Sequence, residues 1–263
     1  MAERIKTGDE CAYWDALSSE YQTITRISCG DFHYGPQIPG ESRLHLLPPL
    51  KAGMTALELG CGAAQNSLWL AKRGVRCTAM DISKNQLAHA KALMRREAVA
   101  IDLVHAPIER FHLFCREKRF DLIHSSHALE FVQHPDRILK RIATFLKPGG
   151  GVMVSTVHPL YNGSWITGLI EDEDGAVYDG QFLTDYFSPP DDVRDDNGCH
   201  AVSRAYPVSA WFAWFRAAGL EVTALAEPKA VRKAPYTSDD WADHGGQLDR
   251  VPSTLILVGR CMN

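Results

Sequence analysis

The chain has no long apolar run, no long stretch of one charge and no paired cysteine framework. Its seven cysteines (11, 29, 61, 77, 115, 199 and 261) are scattered, without a C-x-x-C. That excludes a disulfide-stapled secreted scaffold, makes a structural zinc site improbable and points to a reducing setting. The opening Met1-Ala2-Glu3-Arg4-Ile5-Lys6-Thr7 lacks the apolar segment of a signal peptide, so a cytoplasmic location is expected. No apolar span approaches the roughly 20 residues that cross a bilayer, and no membrane association is expected. Lys and Arg number 28 against 32 Asp and Glu, a net charge of −4. The basic clusters, Arg95-Arg96 and Arg116 to Arg119, read as solvated surface, so a general nucleic-acid footprint is missing.

What is present is ordinary globular material with a strong internal order. Apolar residues make up 45% and charged residues 23% of 263 residues, enough for one large α/β domain with a buried core. Residues from about 10 to 47 read as helical and amphipathic, interrupted by Gly30, Gly35-Pro36 and Pro39-Gly40. From Thr55 the chain alternates strands and helices, the pattern of a mostly parallel sheet. Thr55–Leu59 is the first strand, Ala64–Arg73 a helix stopped by Gly74, and Val75 to Asp81 the second strand. Ser83 offers an N-cap, and Gln86 three residues on completes a capping box. Asp102–His105 and Phe120–Ser125 are the third and fourth strands, and Ile138, Ile142 and Phe145 the buried stripe of the following helix.

Lys147-Pro148-Gly149-Gly150 reads as a break before a fifth strand, Gly151–Thr156. From His158 to about Pro207 periodicity lapses into Gly, Asp, Pro and aromatics, the composition of a lid or binding insertion. A helix at Ser209–Ala218 and strands at Glu221–Ala226 and Ser253–Arg260 close the chain. One domain over 1–263 is expected: a helical cap at 1–47, a core at 48–158, an insertion at 159–206 and the end of the sheet at 207–263.

The most informative stretch is Leu57-Glu58-Leu59-Gly60-Cys61-Gly62-Ala63-Ala64-Gln65-Asn66. A strand carrying one acid ends in two glycines one residue apart, then turns into a helix. Such a turn brings backbone close to a ligand. A dinucleotide-binding G-x-G-x-x-G would need glycine where Gln65 stands, which disfavours a nucleotide-dependent oxidoreductase. The pattern is E-x-G-x-G, and it resembles motif I of class I S-adenosylmethionine (SAM)-dependent methyltransferases. Three further landmarks fall in that family's order: Asp81 ending strand two, Phe120-Asp121-Leu122-Ile123-His124, and Leu146-Lys147-Pro148-Gly149-Gly150. The likeness is good over roughly 44–158.

The resemblance implies a Rossmann-like α/β fold, a seven-stranded mostly parallel sheet with helices on both faces. It also implies an N-terminal helical cap and an insertion after strand five. SAM would be the cofactor and S-adenosylhomocysteine the product. Carried onto this sequence, Glu58, Gly60, Cys61 and Gly62 would shape the turn at the methionine end. Asp81 would hold the ribose, and Ile82 would lie on the adenine. The family's acid after strand three has no clear counterpart, so backbone at Ala106 and Ile108 is expected to meet the adenine, with Ser125 nearby.

On the acceptor side, ends of parallel strands surround the ligand crevice, which ranks His158 first as a base and keeps His127 and His200 as candidates. Tyr34, Tyr178, Phe182 and Tyr186 are candidate acceptor contacts, the last three from the aromatic insertion. Any single one of these histidines reads more readily as an ordinary polar wall or surface residue. Asp191-Asp192 and Asp195-Asp196-Asn197-Gly198 do not fit a calcium loop and read as a solvated turn, so no metal is expected. The expectation is methyl transfer to O or N of a small molecule by a monomer or homodimer. Carbon methylation and a non-catalytic SAM-binding scaffold regulating a partner are the alternatives. The missing Asn-Pro-Pro-Tyr-type stretch after strand four, where Ser125-Ser126-His127-Ala128 stands, weighs against tRNA or protein as acceptor.

Overall fold

In the computed structural model the described residues are 9–115, 119–161, 169–171, 173, 175, 177–179, 183, 185–196, 198–242 and 245–262. A seven-stranded sheet runs through the molecule. Its strands are β1 (Thr55–Leu59), β2 (Arg76–Asp81), β3 (Asp102–His105), β4 (Phe120–Ser126), β5 (Leu146–Val157), β6 (Leu220–Ala226) and β7 (Thr254–Cys261), in the order β6-β7-β5-β4-β1-β2-β3. Strands β1 to β5 are mutually parallel, and β7 lies antiparallel between β5 and β6. The central strands are covered on both faces, as all-parallel sheets require. Within β1, Ala56 belongs to one core cluster with Leu68 and Trp69, while Leu57 and Leu59 belong to another with Phe111, Ile138 and Trp211. The sheet order turns around between β1 and β4. Chain leaving those two strands therefore diverges and opens a crevice at their carboxyl ends.

The longer helices are α1 (Asp9–Ile24), α2 (Gln65–Ala71), α3 (Lys84–Glu97), α4 (Pro135–Phe145) and α5 (Val208–Ala217). Ser83 caps α3 by accepting the Gln86 N–H at 3.1 Å. The expected capping box is only half made, because the Ser83 N–H donates to Asp81 Oδ1 at 2.9 Å and the Gln86 amide oxygen accepts from Gln22 Nε2 at 3.0 Å. The Gln86 side chain thus ties α3 to α1.

Three boundaries differ from the sequence reading. Among the described residues before 48, only α1 and the short helix Glu41–Leu44 are helical. The glycines and prolines between them let residues 28–40 run irregularly into the core, where Phe32, Tyr34 and Ile38 are fully buried. Lys147-Pro148-Gly149-Gly150 is no separate turn. It lies within β5, whose register with β4 breaks between Phe120 and Leu122, with Gly149 at φ 73° absorbing the irregularity. The acidic segment near 191–196 is likewise a strand, Asp192–Asp196, in a hairpin with Cys199–Ser203. A second hairpin, Leu169–Glu171 with Val177–Asp179, also lies after β5. Among the described residues no helix is long and apolar enough to cross a membrane.

One carboxylate joins the starts of three neighbouring strands. Asp121 Oδ2, on β4, accepts the Thr55 N–H of β1 at 2.7 Å and the Lys147 ammonium of β5 at 2.6 Å. Burial raises the pKa of this carboxyl, but Lys147 and Thr55 outweigh it and hold the value below the ordinary aspartate range. Its stabilisation is therefore complete above the unfolded value and is lost as pH falls through the folded one. Asp121→Ala is expected to cost about 1–3 kcal/mol in denaturant unfolding at neutral pH. The gap from wild type should shrink in acid, and a gap independent of pH would contradict this role.

Candidate active site

The turn after β1 is pinned to β2 by two hydrogen bonds. The N–H groups of Gly60 and Cys61 both donate to the Met80 carbonyl, at 2.9 and 2.8 Å. The two glycines of the turn then separate in role. Gly60 (φ 72°) has no room for a side chain, since a Cβ there would collide with the Ala128 methyl group. Gly62 (φ 53°) meets nothing closer than Gln86 Oε1 at 3.9 Å, so its bare α-carbon faces open space in the crevice. Ala64 is left-handed too (φ 62°) as it enters α2. Only glycine occupies this region without strain.

Asp81, at the end of β2, sits across the turn. Its Oδ2 accepts the Gly62 N–H at 2.7 Å and its Oδ1 the Ser83 N–H at 2.9 Å. Burial raises the carboxyl above the ordinary value, and these backbone donors oppose the rise. Each oxygen keeps a lone pair for a ligand hydroxyl. Glu58 lies deeper, its Oε2 accepting the N–H and hydroxyl of Ser67 at 3.1 and 2.6 Å. Its Oε1 is 3.9 Å from His124 Nδ1. Burial drives both groups neutral, raising Glu58 to about 8 and lowering His124 to about 3.

Around this turn lies a cleft of about 970 Å³, mouth included, lined by Glu58, Gly60, Cys61, Gly62, Asp81, Ile82 and Ile108, with Trp14 and Tyr21 of α1 above them. A second cavity, about 1850 Å³ with its mouth, shares one wall with the first: Trp14, Tyr21, His127, Phe131 and Tyr236. His127 follows β4 in a left-handed conformation (φ 51°), its N–H held by the Ser155 carbonyl at 2.9 Å. Gly35 makes this possible, because a Cβ there would strike the His127 ring. His127 Nδ1 is 3.1 Å from Glu130 Oε1, and Nε2 is 3.0 Å from Thr254 Oγ1. The Thr156 hydroxyl donates to Glu130 Oε2 at 3.2 Å, so a carboxylate only 3% exposed is held by two partners at the boundary of the cavities.

Several residues singled out from the sequence do not reach either cavity. His158 is buried beside Ser253; its Nε2 is 2.8 Å from Glu227 Oε1, and its Nδ1 accepts the Leu160 N–H at 3.1 Å. Both ring nitrogens are spent, and His158 lines no cavity near the turn. His200 pairs with Asp195 at 2.6 Å on the outer hairpin. Tyr34 is a core residue whose hydroxyl donates to Glu41. Tyr186 accepts the Val208 N–H at 3.3 Å and braces the start of α5. Ser125 donates to the Leu59 carbonyl at 2.9 Å inside the sheet, and its neighbour Ser126 lines the cleft. Ala106 donates its N–H to the Asp81 carbonyl at 3.0 Å and faces an adjoining groove, while Pro107, Ile108 and Glu109 line the cleft. Phe182 and the side chain of Tyr178 lie outside the described residues.

Sequence reasoning missed Glu130, Tyr21, Phe131, Tyr236, Arg194 and Trp241, all of which line one or both cavities. Glu130 had a local signal, since it stands three residues after His127 in the turn following β4. Tyr236 had none. It arrives because Tyr236–Ser238 pairs with Thr25–Ile27 at the end of α1.

A family model described as a methyltransferase domain matches residues 32–225, most of the chain. The chain belongs to this methyltransferase family. Among curated relatives, a ubiquinone biosynthesis O-methyltransferase of Coxiella burnetii is 32% identical over 125 residues, covering 44% of this chain and 53% of the relative. The enzyme of that name from Pseudomonas paraeruginosa is 30% identical over 173 residues, covering 65% of this chain and 66% of the relative. The chain thus spans about half to two thirds of the length of these curated relatives. A SAM-dependent methyltransferase structure from Mesorhizobium loti superposes with a TM-score of 0.58 at 22% identity, covering 83% of this chain and 96% of that one. At that identity the likeness shows the fold, which is the Rossmann-like methyltransferase fold.

The neutral Glu58 gives this methyltransferase-family chain a pH signature. Its folded value of about 8 exceeds the ordinary glutamate value, so its contribution to stability is complete at acid pH and is lost as pH rises towards 8. The melting temperature of the free protein should fall across that window, and Glu58→Gln should flatten the fall. A parallel decline in wild type and variant would show that Glu58 is ionised throughout.

Proposed function

We propose that the protein transfers the methyl group of SAM to an oxygen or nitrogen of a small molecule. The observation that carries this reading is the shared wall: a cleft with the family's glycine turn and acid lies against a second cavity, with Trp14, Tyr21, His127, Phe131 and Tyr236 lining both. Family membership and the O-methyltransferase names of the relatives support it.

The cleft fits the donor on its own geometry. Gly62 leaves a cradle that a side chain would fill, Asp81 presents two buried oxygens to the ribose hydroxyls, and Ile82 and Ile108 offer an apolar slot for adenine. The Cys61 and Gly62 backbone and the Glu58 end of the cleft would hold the methionine portion. When bound, SAM supplies an electrophilic methyl group on a sulfonium, so the protein's work is alignment and exclusion of water. Trp14, Tyr21 and Tyr236 close the wall where the two cavities meet and keep water from the reacting atoms. Where the acceptor must lose a proton, His127 Nε2 would receive it once the acceptor displaces the Thr254 hydroxyl from that nitrogen, with Glu130 behind Nδ1. Their hydrogen bond shares the charge between imidazole and carboxylate, and Thr156 keeps the carboxylate aligned. This role replaces the one expected of His158, whose ring is committed to Glu227.

Titration calorimetry with SAM and S-adenosylhomocysteine tests the donor site. Asp81→Ala should weaken both ligands by at least about tenfold, the worth of one hydrogen bond to a charged group. The folded variant binding as tightly as wild type would place the ribose elsewhere.

A further inference from the structure

We propose that the second cavity is built for an acceptor bearing a positively charged nitrogen, in chemical class an arylalkylamine. This rests on the donor reading above, and it deepens that reading by naming what the acceptor cavity selects. Among the described residues five carboxylates line the cavity, those of Glu20, Glu130, Asp191, Asp192 and Asp240, against one guanidinium, Arg194. Two are neutralised: Asp192 accepts from Arg194 at 3.0 Å, and Asp191 lies 3.5 Å from Arg204. Glu20 and Asp240 meet no cation among the described residues, and Glu130 pairs with the His127 imidazole and also lies in the field of Arg194. The cavity therefore keeps an excess of negative charge after its own pairs are counted. An anionic acceptor would enter against that field, whereas a cation would be drawn in by it.

The carboxylates of Glu20, Asp191 and Asp240 lie on the exposed rim, and the deeper walls combine aromatic rings with Leu17, Ile24, Pro36 and Val157. Tyr161 and Trp241 stack with ring centroids 4.7 Å apart and planes at 18°, and Trp14 and Phe131 meet edge to face at 5.1 Å. A planar ring fits such faces, and a cation gains further from them through the ring quadrupole. The cavity already displays this mode of recognition. The Arg194 guanidinium lies 5.3 Å over the Phe131 ring while Asp192 holds its edge. A protonated amine on an aromatic body would use the same two elements, a carboxylate and a ring face, with Glu130 at the inner end beside His127.

Titration calorimetry on protein saturated with S-adenosylhomocysteine tests this with three probes that share one ring and differ in charge. These are tyramine, neutral 4-ethylphenol and anionic 4-hydroxyphenylacetate. Tyramine should bind at least about tenfold more tightly than either of the others, and its advantage should shrink at high salt. The double variant E20Q/D240N should weaken tyramine by about threefold or more and leave S-adenosylhomocysteine affinity unchanged. Equal affinities, a preference for the anion, or no binding of any probe to the saturated protein would overturn the inference while leaving the donor site standing. Failure of S-adenosylhomocysteine itself to bind would instead remove the donor reading, and this inference with it.

Discussion

Two backbone N–H groups, those of Gly60 and Cys61, converge on the Met80 carbonyl, and the geometry of the cleft descends from that junction. It binds the end of β1 to the end of β2 while forcing the chain through left-handed conformations at Gly60, Gly62 and Ala64. Gly60 can then press against Ala128, which leads into the 3-10 turn Leu129–Phe131 and so sets where His127 and Glu130 stand. Gly62 meanwhile delivers its N–H to Asp81 and leaves open space on its other side. One turn thus fixes Asp81, leaves the open space at Gly62 and positions the far wall. The sheet makes this possible by reversing its order between β1 and β4, so that the two connections diverge.

Burial without full compensation is the second organising constraint. Glu58, His124, Asp81, Glu130 and His158 are all nearly inaccessible, and each resolves its charge differently. Glu58 and His124 are driven neutral by burial. Asp81 is held by backbone donors, and His158 spends both nitrogens on Glu227 and Leu160. Glu130 alone of these carboxylates has a histidine within hydrogen-bond distance and also lines the second cavity. His127 and His158 are each bonded at both ring nitrogens. What separates them is that His127 lines both cavities and meets an exchangeable Thr254 hydroxyl, whereas His158 lines neither.

The parts of the molecule legible in the sequence are those written in short range. The apolar run of β1, the glycine pair, Asp81 and the Ser83 cap are each decided by residues within a few positions, and the structure places them as expected. The lining of the second cavity was not legible for a physical reason. Whether His158 or His127 faces a cavity depends on Glu227 and Thr254, which lie far along the chain. Tyr34 and Tyr186 look like ligand contacts by composition, yet Glu41 and the start of α5 claim their hydroxyls. Tyr236 reaches the cavity wall through pairing with the strand after α1, and Trp241 follows in the helix just beyond it. Aromatic content announces a pocket, but tertiary pairing chooses which rings line it.

The central claim is that donor and acceptor meet across the wall formed by His127, Trp14 and Tyr236. A crystal structure with S-adenosylhomocysteine tests it most directly. The account predicts ribose hydroxyls on the Asp81 carboxylate, the adenine between Ile82 and Ile108, and the sulfur turned towards that wall and the second cavity. Density for the nucleoside in the arginine-lined groove beside Ala106, or a sulfur facing away from His127, would contradict it.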